Sequence, residues 1–191
     1  SKGVKIQLNS TITKFESLQK TCIASSDNGN QYKFDLAIVG IGVIPNIELA
    51  EAAELKCDNG IMVNEFTQTS DEDIHAIGDC SNHPSSIYQK RIRLESVPNA
   101  LGQAKTAANF ICGNQQPYHQ VPWFWSDQYD IKLQSAGLAA DYDKTILSGD
   151  ESTKKFTVSY MKNDHMIALD AINSPREFLQ AKKEIGNLNL N

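Results

Sequence analysis

The run Leu36-Ala37-Ile38-Val39-Gly40-Ile41-Gly42-Val43 carries no polar side chain. A strand with one wet face alternates apolar and polar residues; this run is apolar on both faces. That suits a strand buried inside a parallel sheet and sets α/β as the expected class for the N-terminal part. Pro45-Asn46 ends the run. Asn46 is placed to cap a short helix, with Glu48 in its first turn and Ile47, Leu49, Ala50 and Ala53 on its apolar side.

Residues 3–40 otherwise read as strands. Val4, Ile6 and Leu8 alternate with polar residues, as in a half-buried strand. Segments 10–16, 21–26 and 31–34 follow, the last two joined by Asp27-Asn28-Gly29-Asn30, a turn signal, so a β-meander is expected. Further on, 61–63 and 74–77 read as strands and 80–92 as a loop. The clearest helix spans 98–112, with Pro98 in its first turn, Gly113 past its end, and Ala100, Ala104, Ala107 and Ile111 on one face.

Composition shifts near Gln116-Pro117-Tyr118. Beyond an aromatic-rich stretch at 121–127, segments 131–136, 144–148, 155–161 and 166–172 read as strands. Ser174-Pro175-Arg176-Glu177 has the form of a capping box with proline in the first turn, and Phe178, Leu179 and Ile185 give the last helix its apolar side. Residues 122–191 are therefore expected to be a separate α+β module, an antiparallel sheet with one terminal helix.

The net charge of −5 disfavours nucleic acid, whose phosphates ask for a basic surface. No stretch reaches the ~20 apolar residues of a membrane span. Ser1-Lys2-Gly3-Val4 leads directly into the alternating segment with no apolar export signal, so a cytoplasmic, membrane-free protein is expected. Cys22, Cys57, Cys80 and Cys112 form no CxxC pair and are expected as free thiols. His75, His83, His119 and His165 form no HExxH motif, and no metal site is expected. Lys90-Arg91-Ile92-Arg93 has two readings: a solvated strand edge, or a landing patch for an acidic redox partner.

The segment richest in chemistry is Thr69-Ser70-Asp71-Glu72-Asp73-Ile74-His75-Ala76-Ile77-Gly78-Asp79-Cys80. Read as a buried strand, it delivers a glycine and then a carboxylate to the C-terminal end of a sheet, where ligands of open α/β folds lie. Glycine admits close approach, and a carboxylate accepts strong hydrogen bonds from sugar hydroxyls. A turn in which Asp79 caps local N–H groups uses the same residues.

The string from Thr69 to Asp79 resembles the second FAD fingerprint of the pyridine-nucleotide-dependent flavoprotein reductases. Three further stretches match in family order. Asp35 to Asn46 resembles the exit from the NAD-binding domain. Arg93-Leu94-Glu95-Ser96-Val97-Pro98-Asn99-Ala100 resembles the stretch beside the flavin ring. Pro122-Trp123-Phe124-Trp125-Ser126-Asp127-Gln128 is similar to the opening of the C-terminal domain of ferredoxin, rubredoxin and putidaredoxin reductases.

The resemblance implies an α/β portion, made of parts of FAD- and NAD(P)-binding domains, followed by an α+β C-terminal reductase domain with an antiparallel sheet. Its divisions are residues 1–45 (tail of the NAD(P)-binding domain), 46–121 (second part of the FAD-binding domain) and 122–191. It implies cofactor contacts at Gly40, Ile41, Gly78, Asp79, Glu95, Ser96, Val97 and Trp125. Asp79 would hold a ribityl hydroxyl and Val97 would act through its N–H. Trp125 would lie near the isoalloxazine, while Trp123 reads as core. Glu95 reads either as a polar neighbour of the ring or as the partner of Arg93 or Lys105.

The implied activity is electron transfer from NAD(P)H through FAD to a ferredoxin-like iron–sulfur protein. No GxGxxG turn for a dinucleotide pyrophosphate occurs here, so the chain by itself is expected to be an inactive fragment with weak or no FAD affinity. Two alternatives remain. One is a non-enzymatic interaction module that self-associates. The other is a relative that reduces a quinone, a peroxide or a disulfide.

Overall fold

A computed structural model describes residues 3–18 and 21–188. Ser1 and Lys2, read above as part of a signal-free start, and the last three residues of the 122–191 segment lie outside the described residues. By packing, the chain divides into two compact units, Ser1–Val43 and Ile44–Asn191.

The first unit holds a three-stranded antiparallel sheet, β1 (Ile12–Leu18), β2 (Thr21–Ser26) and β3 (Gln31–Phe34), in that order. The predicted meander is present. Its second turn is held by Asn28, whose Oδ1 accepts from Ser26 Oγ at 2.6 Å and from Asn30 N at 3.2 Å, and Phe15 meets Phe34 edge-on. Two other expectations fail. Val4, Ile6 and Leu8 lie in no strand and are exposed. The 36–43 run also lies in no strand, with Ile38 90% and Ile41 92% exposed. Hydrophobic pattern reports what a segment needs beside it. Among the described residues no strand pairs with either stretch, so neither forms a ladder.

The second unit opens with α1 (Glu48–Ala52), whose N-cap is Ile47 without a side-chain cap bond. The expected cap at Asn46 is not formed. Ala50 is buried but Leu49 is exposed, because so short a helix rests on one residue rather than on a stripe. A small sheet follows. β4 (Ile61–Met62) runs parallel to β5 (Ser81–Ser85), which pairs antiparallel with β6 (Lys90–Arg93). The expected loop at 80–92 is thus a hairpin. Ser-Asn-His-Pro-Ser in β5 lacks the β-branched and aromatic residues that advertise a strand.

Residues 74–77, expected as a buried strand, make only a single bridge, Gln68 with His75, and Ile74 and Ile77 are exposed. Helix α2 (Val97–Ile111) is capped by Ser96, whose hydroxyl accepts from Asn99 N. Its buried residues are Pro98, Asn99, Gln103, Thr106 and Ala107, while Ile111 is exposed. The packed face therefore keeps Ala107 of the expected alanine face but is otherwise largely polar.

The C-terminal part holds the four expected strands and a fifth at Trp123–Gln128, within the aromatic-rich stretch. Strands β7 (Trp123–Gln128), β8 (Ile131–Gly137), β9 (Lys144–Asp150), β10 (Lys155–Lys162) and β11 (His165–Ile172) form one antiparallel sheet in the order β7-β8-β11-β10-β9. The terminal helix α3 (Pro175–Gly186) packs on β8 and β11. Ser174 does not close the expected capping box; its hydroxyl donates to Ile172 O at 2.9 Å instead. Leu179, expected on the apolar side, is exposed.

The core joins Phe178, Ala181 and Ile185 of α3 with Ala136, Leu169 and Ala171 of the sheet, and with Val121 and Ile87. Ile87 comes from the tip of the β5–β6 hairpin. Its neighbour Tyr88 fastens that tip to the sheet, donating to Ile167 O at 3.0 Å and accepting from Leu138 N at 2.8 Å. Among the described residues no helix is long and apolar enough to cross a membrane.

Candidate cofactor site

Extended backbone at Ile77 leads into a single 3₁₀ turn, Gly78–Cys80. Gly78 is buried with φ +78°, a conformation that side-chain-bearing residues seldom adopt. The turn packs against α2 and is held there by Gln103, which is fully buried. Gln103 Oε1 accepts from Gly78 N at 2.7 Å. The Ser81 hydroxyl lies within reach of both Gln103 Oε1 (2.7 Å) and Gly78 O (3.0 Å), and its one proton serves one of them at a time.

With its oxygen committed to an N–H, the amide turns its Nε2 to His83 Nδ1, 3.0 Å away. Nδ1 must then accept, so the imidazole proton sits on Nε2 and the ring is neutral. Burial, and then the nearby Arg91 cation, lower the His83 pKa from 6.5 to about 4.

This has a consequence in acid. As pH falls through 6.5 the unfolded chain takes up the proton while the folded one refuses it until about 4. Stability is thus complete above the unfolded value, drains away between the two and levels off below the folded one. The whole loss is on the order of 3 kcal/mol. Urea unfolding at several pH values is expected to show it, and His83→Gln, which still offers an acceptor, to flatten that part of the profile. A wild type and variant with parallel profiles would refute the assignment.

The second segment of the site lies beside the first. Arg93, with only 11% of its side chain exposed, donates through Nη1 to Asp79 O at 2.9 Å and pairs with Glu95 Oε1 at 2.8 Å. Of the two partners expected for Glu95, the structure selects Arg93. The Asp79 side chain is exposed and makes no hydrogen bond or ion pair among the described residues. Ser96 caps α2. Val97 opens it, exposed, with its N–H unpartnered among the described residues.

Asn99 fixes this entry. Its Nδ2 donates to Leu94 O at 3.2 Å and its Oδ1 accepts from Tyr118 OH at 3.0 Å. Tyr118 in turn stands edge-on to His83. In the basic cluster at 90–93, Lys90 and Arg91 are exposed on the β6 edge and also meet partners within the chain. Arg91 donates to Val63 O, Asn82 Oδ1 and Asn82 O, while Lys90 meets Asp141.

Trp125 stands on β7, which runs against α2, and is 42% exposed. Its ring lies 5.7 Å from Trp123, which packs on Phe178 and carries the Lys182 ammonium 4.5 Å above it. Trp123 is the core residue of the pair, as expected. Gly40 and Ile41 belong to the first unit and are exposed there. The structure therefore brings together Gly78, Asp79, Glu95, Ser96 and Val97 and sets Trp125 on the strand beside α2.

Sequence reading missed Gln103, His83, Asn99 and Tyr118. The signal available was Asn99, Gln103 and Thr106, polar residues three and four apart on one helical face. Among the described residues no group of three or more His, Cys, Asp or Glu is placed to hold a metal.

Residues 1–104, more than half of the chain, match the family model described as pyridine nucleotide-disulphide oxidoreductase. The chain belongs to this family. Residues 123–188 match a second model, the reductase C-terminal domain. The family's α/β portion and α+β C-terminal domain with an antiparallel sheet are the fold expected from sequence.

Putidaredoxin reductase CamA of Pseudomonas putida is 44% identical over 186 residues, 96% of this chain and 44% of that protein. Rhodocoxin reductase of Rhodococcus erythropolis is 37% identical over 182 residues, 95% of this chain and 43% of the relative. The solved covalent putidaredoxin reductase–putidaredoxin complex superposes with a TM-score of 0.91 at 42% identity, over 97% of this chain and 45% of the other. The chain thus spans less than half the length of the relatives it matches.

Proposed function

We propose that these residues serve, within the whole protein, as the flavin-facing C-terminal part of a reductase that passes electrons from NAD(P)H through FAD to a ferredoxin-like iron–sulfur protein. The observation that carries the reading is the Gly78-Asp79 turn. Among the described residues a carboxylate with no partner projects from a doubly anchored turn that starts at buried Gly78, next to a helix whose first N–H is unpartnered. A polyol needs such an acceptor and an electron-rich ring needs such a donor, so the residues fit a flavin. The names of the relatives, reductases of putidaredoxin and rhodocoxin, support the choice of acceptor.

In this reading Asp79 holds the ribityl chain. Val97 N–H and the positive end of α2 favour negative charge at the flavin ring. Trp125 covers the ring edge and excludes water, and Arg93 keeps Glu95 at the same rim. FAD, when bound, supplies hydride acceptance and one-electron release. Gly40 and Ile41 line the cofactor side of the first unit. Functionally the chain divides at 1–45, 46–121 and 122–191. Four unpaired thiols agree with a reducing, cytoplasmic setting.

Asp79→Ala in the full-length protein is expected to weaken FAD binding roughly ten- to a hundredfold, the loss of one or two charge-assisted hydrogen bonds. Flavin fluorescence titration measures it, and unchanged affinity would overturn the site. The exposed run at 36–43 favours a second reading, self-association of this chain through that strip. A single monomeric species in sedimentation would dispose of it.

A further inference from the structure

We infer that Gln103 is a positioning residue for FAD, acting through the Gly78-Asp79 turn; this rests on the reading in which Asp79 meets the ribityl chain. Gln103 is fully buried on α2, six residues and just under two turns beyond Val97. One end of its amide holds Gly78 N at 2.7 Å and lies 2.7 Å from Ser81 Oγ; the other end holds His83 Nδ1 at 3.0 Å. A single side chain thus sets the turn that carries Asp79 against the helix that opens at Val97. Gly78 has no side chain of its own to lock the turn, and its φ of +78° leaves the backbone free to adopt other conformations once the N–H is released. Asp79 O is held by Arg93, which constrains the far side of the turn but not the N–H side.

A purely structural role and a positioning role differ in a measurable way. If Gln103 only stabilises the fold, its loss costs the same whether or not Asp79 has a carboxylate. If it aims that carboxylate, its loss matters to FAD only while the carboxylate is present.

The test is the FAD dissociation constant, by flavin fluorescence, of four full-length proteins: wild type, Gln103→Met, Asp79→Ala and the double variant. Gln103→Met is expected to weaken FAD about tenfold in the wild-type background and less than about twofold in the Asp79→Ala background. Should Gln103→Met fail to fold, Ser81→Ala deletes a smaller part of the same network, with a loss of about threefold expected and the same dependence on Asp79. Equal losses in both backgrounds, or no loss in the first, overturn the positioning role and leave the site standing. An Asp79→Ala protein that binds FAD like the wild type overturns the site, and the inference with it.

Discussion

Gly137→Ala is expected to destabilise the Ile44–Asn191 unit by about 2–5 kcal/mol, the sum of left-handed backbone strain and overpacking. Gly137 ends β8 with φ +79°, and a Cβ there would lie 2.3 Å from Ile167 O, 2.8 Å from Ala168 Cα and 2.9 Å from Tyr88 Oη. Two of the three obstacles are backbone of β11, the strand that pairs with Gly137 through Ala168. They cannot rotate aside as a side chain can. Relief requires opening the end of the β8–β11 ladder or lifting Tyr88 from Ile167 O and Leu138 N. Either movement loosens the β5–β6 hairpin, which carries Ser81 and His83 at its other end. Chemical denaturation gives the loss; a change below about 0.5 kcal/mol, the range of an ordinary surface substitution, would show that the sheet yields here.

Phe178→Ala is expected to cost about 3–5 kcal/mol, through lost apolar burial and the cavity left behind. Phe178 is the largest side chain that α3 places in the core, 3% exposed, among Ile87, Val121, Leu169 and Ala171. The gap cannot close easily, because α3 is anchored at both ends of the contact by Ser174 and by buried Ile185. Trp123 supplies a second readout. Its ring leans on Phe178 at 5.7 Å, and its indole nitrogen is buried without a partner among the described residues. Removing the phenyl ring should admit water to the indole and shift its emission to the red. Phe178→Leu, which fills most of the volume, is expected to lose about 1 kcal/mol. Equal losses for the two substitutions would refute the cavity account.

Legibility in the sequence followed the range of the interaction. The strands β8, β9, β10 and β11 were visible because antiparallel neighbours joined by tight turns advertise themselves locally, in alternation and in pairs such as Asp164-His165. Strand β5 was not, because Pro84 and four other residues of weak strand propensity are held by partners elsewhere: β4 on one side and β6 on the other. The alternating segment 4–8 and the apolar run 36–43 were read as strands from their hydrophobic pattern, and a pattern cannot supply a neighbour.

At the site, Asp79 and Val97 were legible through motifs that stay contiguous in the chain. The parts that hold them in place were not. Gln103 lies 25 residues from Gly78, 22 from Ser81 and 20 from His83, so no window of local sequence contains the network. A glutamine on a helix reads as a solvated residue until the fold buries it. Only then must its oxygen and nitrogen find particular partners, since an unsatisfied buried amide is costly. The sequence alone determined the order of the segments, the C-terminal sheet and helix, and the placement of a glycine and a carboxylate at the end of one segment. The tertiary structure decided which polar groups lie inside, and so which side chains hold that carboxylate where it stands. The reason is physical: periodicity and turn chemistry act over a few residues, whereas desolvation is imposed only when distant elements close on one another.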